Sequence, residues 1–274
     1  MIALNFAYCR PESVEEAVSL YGRFERPLYY GGGSEIISMC TAGSIAPSAV
    51  IDLKRLDALR VMQEGGGTVT LGAARTLEEI RTGGLFPLLG KTAGRIADHT
   101  NQCRITLGGN LCGTIMYREA ALPLLLADAT LELFGPTGRR TASIHAVFDG
   151  RMRLLPGEFV VSARIEKRVT EMPYAHIKRT FNEKIGYPAV TAVALKMEGC
   201  IRIAFSGICS HPFRSPQIEQ AVNDRSIEPK ARAEAAASLL PEPPHSDCEG
   251  SGAYRRHLLQ MVAQEIIELF EGMP

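Results

Sequence analysis

The segment Thr106-Leu107-Gly108-Gly109-Asn110-Leu111 sets two adjacent glycines and two polar side chains between apolar flanks. An earlier segment, Gly31-Gly32-Gly33-Ser34-Glu35-Ile36, follows the strand-like run Pro27-Leu28-Tyr29-Tyr30 and has the same texture. Amides crowded by glycine at the end of a strand offer hydrogen-bond donors, and the missing side chains let a phosphate come close. Neither segment is a Walker loop, because no Gly-Lys-Ser/Thr follows, and neither is the G-x-G-x-x-G of a dinucleotide turn. Alone, each is also the composition of a flexible turn. Together they point to a diphosphate held between two small units.

Working outward, Ser13 and Glu16 form a capping pair for a helix over Val14–Tyr21, and Thr76 and Glu79 repeat the device for a second one. Ala49–Leu53 and Thr68–Ala73 read as strands, the latter after the turn Gly65-Gly66-Gly67. Leu88–Ile96 and Leu122–Ala129 read as apolar helices, and Ala129–Phe134 and Phe159–Ile165 as strands. Beyond Tyr174 the texture changes. Tyr174–Arg179, Ala189–Leu195 and Cys200–Gly207 fit a three-stranded antiparallel meander, followed by helices over 227–240 and 253–270. These elements divide the chain into residues 1–168, with subdomains of about 1–56 and 57–168, and a second α+β domain over 169–274.

The chain has 274 residues, 46% hydrophobic, with 30 basic against 30 acidic side chains, so its net charge gives no pull toward nucleic acid or an anionic membrane. No apolar run approaches the ~18 residues of a membrane span, and the N-terminus lacks the basic start of a signal peptide. The expected location is the cytoplasm. The seven cysteines are scattered without a CxxC, which argues against a zinc or iron–sulfur centre held by this chain alone. The six histidines show no metal-binding spacing and are expected at the surface or in satisfied structural positions.

The two glycine segments carry a resemblance. Gly31–Ile36 is similar to the A-G-G-T-D-L loop, and Thr106–Leu111 to the T-I-G-G-N-L loop, of the FAD-binding medium subunit of molybdenum hydroxylases, the xanthine dehydrogenase and carbon monoxide dehydrogenase flavoprotein family. Leu71-Gly72-Ala73 with Leu77–Ile80, the Leu122–Ala127 helix and the tail extend the likeness over nearly the whole chain. The resemblance implies an α+β protein: a two-subdomain FAD-binding fold of the PCMH/VAO type, then a C-terminal domain with a three-stranded antiparallel sheet and helices. Carried over, Tyr30, Gly31, Gly32, Gly33, Ser34, Glu35 and Ile36 face the diphosphate and ribityl side. Thr106, Leu107, Gly108, Gly109 and Asn110 face the diphosphate and adenosine side. Lys184 and Tyr187, in Lys184-Ile185-Gly186-Tyr187, resemble the family's K-x-G approach to the flavin ring.

The implied role is electron relay, from a molybdopterin-binding large subunit through an iron–sulfur subunit to FAD here, and onward to NAD or another acceptor. No catalytic side chain or metal is expected in this chain, since the flavin carries the chemistry. Two departures stand out. Gln102-Cys103 replaces the family's Arg-Asn, and Ala120 replaces an Asp, with Glu119 beside it as a substitute contact. They leave open a flavin-free scaffold of the same fold, or a stand-alone flavin reductase.

Overall fold

The computed structural model describes residues 5–180 and 186–273. Near the N-terminus, Ala7–Cys9, Ala49–Asp52 and Pro27–Tyr30 form a parallel sheet with Ala49–Asp52 in the middle. The middle strand is buried along its whole length, which matches the apolar run Ala49-Val50-Ile51 that precedes Asp52. The crossovers carry the helices Val14–Tyr21 and Ser34–Thr41. Ser13 caps the first as expected, accepting from the Glu16 amide at 3.1 Å. The Glu16 carboxylate, however, accepts from the amide of Glu12 at 2.7 Å.

A five-stranded antiparallel sheet follows, in the order Met62–Gly65, Thr68–Gly72, Phe159–Glu166, Thr130–Gly135 and Gly138–Ser143. Gly66 and Gly67 both have positive φ (59° and 73°), the two-residue turn whose twist suits a hairpin. The helix Leu77–Gly83 has both arms of its capping box. The next helix stops at Ala93, short of the expected Ile96. Ala97 turns left-handed there (φ 53°), and the buried Gln102 amide donates to the carbonyls of Gly94 (3.2 Å) and Ala97 (3.1 Å). The unusual Gln102 is therefore a local turn clamp.

The C-terminal sheet contains the expected meander Tyr174–Thr180, Pro188–Met197 and Cys200–Ser206, extended by a two-residue edge strand, Phe213–Arg214. Its central strand is buried on both faces. Val193, Leu195 and Met197 join the N-terminal core, whereas Ala192 and Ala194 pack with the helices Pro216–Val222, Pro229–Ser238 and Gly252–Glu271. No helix of the described residues is long and apolar enough to cross a membrane.

One short, wholly buried helix, Ala121–Leu126, ties the two cores together. Just before it, Glu119 accepts from Lys178 Nζ at 2.9 Å and from Thr191 Oγ1 at 2.5 Å, and the Glu119 and Lys178 side chains are only 3% and 5% exposed. At its far end, Arg214 donates to the Leu125 carbonyl (3.0 Å) and Asp128 (2.7 Å), and Arg202 donates to the Leu126 carbonyl (2.9 Å) and Asp128 (2.5 Å). Cations at a helix C-terminus are favourable because the last carbonyls lack intrahelical donors. Glu119 thus serves the domain interface, where its carboxylate is already engaged by Lys178 and Thr191.

Removing one member of a buried ion pair leaves its partner desolvated and unmatched. Glu119→Ala should lower stability by about 3–5 kcal/mol, and Glu119→Gln by less, because the amide oxygen still accepts from Thr191 or Lys178. Urea unfolding followed by circular dichroism reads both; equal stability of the alanine variant and the parent would remove Glu119 from this role.

Candidate functional site

The carboxyl end of the strand Pro27–Tyr30 opens into the first glycine turn, and the second glycine segment lies directly against it. A Cβ on Gly31 would stand 2.6 Å from Thr106 Oγ1, and one on Gly32 would stand 1.8 Å from the Arg104 carbonyl oxygen. Gly33 has φ 77° and caps the N-terminus of the helix Ser34–Thr41, a conformation that favours glycine. The Tyr30 ring folds over it, so that a Cβ on Gly33 would meet Tyr30 Oη at 2.0 Å. Burial, with Asp52 nearby, holds the Tyr30 phenol above its usual range despite Arg104. It stays protonated at neutral pH.

Donor use differs sharply between the two segments. The amides of Gly31, Gly32 and Gly33 have no acceptor among the described residues. Ser34 Oγ is buried and has no hydrogen-bond partner. A buried hydroxyl without a partner costs free energy, and here it stands in the first turn of a helix, where the amides are also free of intrahelical acceptors. In the second segment the four amides from Leu107 to Asn110 are spent. The amides of Leu107 and Gly108 donate to the carbonyls of Arg75 (2.9 Å) and Ala73 (2.8 Å). The Gly109 amide donates to Thr106 Oγ1 at 3.1 Å, and that of Asn110 to the Thr106 carbonyl at 2.8 Å. The segment is the capped start of a short helix, Leu107–Cys112, rather than an open loop.

Around this cradle, Glu35 accepts from the Thr114 amide (2.7 Å) and hydroxyl (2.5 Å) and the Ile115 amide (3.2 Å), pinning the turn after the second segment. Ile36 is half-buried in the Ser34–Thr41 helix. Asn110 Oδ1 accepts from the Ala120 amide at 3.2 Å, so the position of the missing Asp is closed by a backbone bond. Tyr187 is 53% exposed and stacks on Tyr117, with ring centroids 4.5 Å apart. Tyr117 in turn donates to Asp247 at 3.1 Å. Sequence reasoning missed Tyr117, which follows Ile115-Met116 and precedes Arg118 with no local pattern to mark it. Lys184 lies outside the described residues.

A parallel sheet with a glycine turn at its carboxyl edge, braced by a second subdomain, defines a class of α+β protein that binds dinucleotides between subdomains. The chain belongs to the FAD-binding family of the molybdopterin dehydrogenases. Residues 4–166 match the family described as "FAD binding domain in molybdopterin dehydrogenase", and residues 189–269 match "CO dehydrogenase flavoprotein C-terminal domain". The carbon monoxide dehydrogenase medium chain of Hydrogenophaga pseudoflava is 28% identical, covering 97% of both chains. The xanthine dehydrogenase FAD-binding subunit of Escherichia coli O157:H7 is 23% identical, covering 95% of this chain and 94% of that one. Among solved structures, carbon monoxide dehydrogenase from H. pseudoflava superposes with a TM-score of 0.86 at 26% identity, covering 97% of this chain and 96% of that one. Quinoline 2-oxidoreductase from Pseudomonas putida 86 shares the fold, with a TM-score of 0.86 at 23% identity over 98% of each chain.

Of the histidines, His176 departs from the expectation of a surface or satisfied role. Its Nε2 is buried without a partner. Burial first, then Arg95 and Lys178, lower its pKa from 6.5 to about 4. The folded chain therefore keeps it neutral, while the unfolded chain takes up a proton below about pH 6.5, so this group's contribution to stability falls as pH drops through that window toward 4. His176→Gln should flatten the decline of the melting temperature between about pH 7 and about pH 5 relative to the parent. Identical slopes for the two proteins would mean that His176 does not titrate this way.

The close contacts also separate the glycines. Gly32→Ala presses a methyl group into the Arg104 backbone and should cost at least about 1–3 kcal/mol in the cofactor-free chain, whereas Gly109→Ala, facing only Thr106 Oγ1 at 2.9 Å, should cost less. Thermal melts of both variants without flavin provide the comparison; a Gly32→Ala chain as stable as the parent would contradict the packing described.

Proposed function

We propose that the chain holds the FAD diphosphate at the Gly31–Ile36 turn and relays electrons within a molybdenum hydroxylase, receiving them from an iron–sulfur subunit and passing them to NAD or another acceptor. Its immediate partners in this reading are that iron–sulfur subunit and a molybdopterin-binding large subunit. The names of its relatives support the assembly, since they are a medium chain and an FAD-binding subunit.

The observation that carries the proposal is the unspent donor set. The Gly31, Gly32 and Gly33 amides, the partnerless Ser34 hydroxyl and the start of the helix Ser34–Thr41 converge on one turn. Such donors suit a diphosphate because its oxygens accept several hydrogen bonds and its charge is favoured at a helix N-terminus. In this reading Thr106, Leu107, Gly108, Gly109 and Asn110 act as the facing wall. The amides of Leu107, Gly108, Gly109 and Asn110 are engaged, so this segment shapes the site, and Thr106 Oγ1 sets its width beside Gly31. Glu35 holds the rim, Tyr30 covers Gly33, and Tyr187 and Lys184 are assigned to the ring end. When bound, FAD supplies the capacity to accept electrons from one donor and deliver them to another.

The decisive substitution is Ser34→Ala. Removing a buried, unpartnered hydroxyl should leave the cofactor-free chain as stable as before or slightly more so, yet weaken FAD retention by about tenfold, the worth of one hydrogen bond to a charged group. Melting without flavin and fluorescence titration with FAD give the two numbers. Unchanged FAD affinity in Ser34→Ala would move the diphosphate elsewhere, and a parent chain that takes up no FAD would overturn the reading. Copurification of an iron–sulfur and a large subunit with the tagged chain tests the assembly.

A further inference from the structure

A cavity separate from the glycine turn opens at the same carboxyl edge of the parallel sheet, on the side of the other two strands. It has a volume of about 570 Å³ and is lined by Tyr8, Arg10, Asp52, Lys54, Arg55 and Arg60. Four cations thus face one cavity that holds a single carboxylate. That carboxylate is already spoken for: Asp52, 5% exposed, accepts from Tyr8 Oη at 2.5 Å, Lys54 Nζ at 2.6 Å and the Lys54 amide at 3.0 Å. Arg60 pairs with Glu79 at 2.7 Å, but Glu79 is shared with Arg75 at 3.1 Å, so two guanidinium groups divide one acid. Arg10 and Arg55 have no acidic partner within ion-pair distance among the described residues. Cations gathered in a concavity repel one another and raise the local concentration of anions.

We propose that this cavity binds a phosphate-bearing small molecule of nucleotide size, at a second site distinct from the diphosphate turn. Guanidinium groups match phosphate oxygens bidentately, which makes Arg10 and Arg55 the recognising pair. The volume lies in the usual range for a small-molecule site and exceeds what inorganic phosphate fills. The Tyr8 ring, 59% exposed and held by its bond to Asp52, offers an apolar face for the rest of the ligand. The cavity also touches the cofactor region, because Lys54 Nζ stands 4.3 Å over the Tyr30 ring, which covers Gly33.

The test is calorimetric titration of the full chain, flavin-stripped and FAD-loaded, with AMP, inorganic phosphate and adenosine at low ionic strength. AMP should bind once per chain in both forms and tighter than phosphate, and adenosine should not bind. The double variant Arg10→Gln/Arg55→Gln should weaken AMP by at least about tenfold while leaving FAD uptake and melting temperature unchanged. Any one of four results overturns the proposal. AMP could give no heat at about 10 mM, or bind the double variant as it binds the parent. Inorganic phosphate could bind as tightly as AMP, marking a simple anion site. FAD loading could abolish AMP binding, making the cavity the adenosine end of the cofactor site.

Discussion

Backbone meets backbone where Gly32 lies against Arg104 and Ile105, with Gly31 beside it against the Thr106 side chain. This approach is possible only without side chains, since even a methyl group on Gly32 would overlap a carbonyl. It brings the edge of a parallel sheet from one subdomain within hydrogen-bonding reach of a helix start in the other. The rest of the site follows from that contact. Thr106 can brace Gly31, Glu35 can reach Thr114 and Ile115, and Gly33 can turn left-handed into its helix because the neighbouring strand end is held in place.

The electrostatic character of the cradle is one-sided. Donors in the second segment close on their own subdomain through Ala73, Arg75 and Thr106, which makes it rigid. Those in the first segment have no protein acceptor, and the buried Ser34 hydroxyl beside them carries a cost that a partner would relieve. Preorganised donors of this kind need little rearrangement when an anion arrives, and tight diphosphate binding depends on that. The same glycine composition therefore serves two ends: the first segment combines close packing with amides that have no protein acceptor, and the second spends its amides on its own subdomain.

That division explains how much was legible in the sequence. Caps at Ser13 and Thr76, the Gly66-Gly67 turn and the apolar run Ala49–Ile51 are local signals, and each appears in the structure where its residues stand. The two glycine segments were visible as a pair. Which of their amides are free was not, because the acceptors Ala73 and Arg75 come from a strand end far away in sequence. Glu119 shows the same limit. Beside Ala120 it looks like a replacement ligand, yet Lys178 and Thr191, from the other domain, claim its carboxylate. Tyr117 was likewise unreadable, since its partners Tyr187 and Asp247 lie at long range.

The short helix Ala121–Leu126 has a consequence for the chain as a physical object. Its six residues are fully covered, and charged side chains of the C-terminal domain grip the chain at both of its ends. Separating the halves would bare a greasy rod and strand Lys178 and Arg202 without their acidic mates, while Arg214 would keep only Glu219. Each half therefore completes the surface of the other, and loosening this one rod would be felt in both.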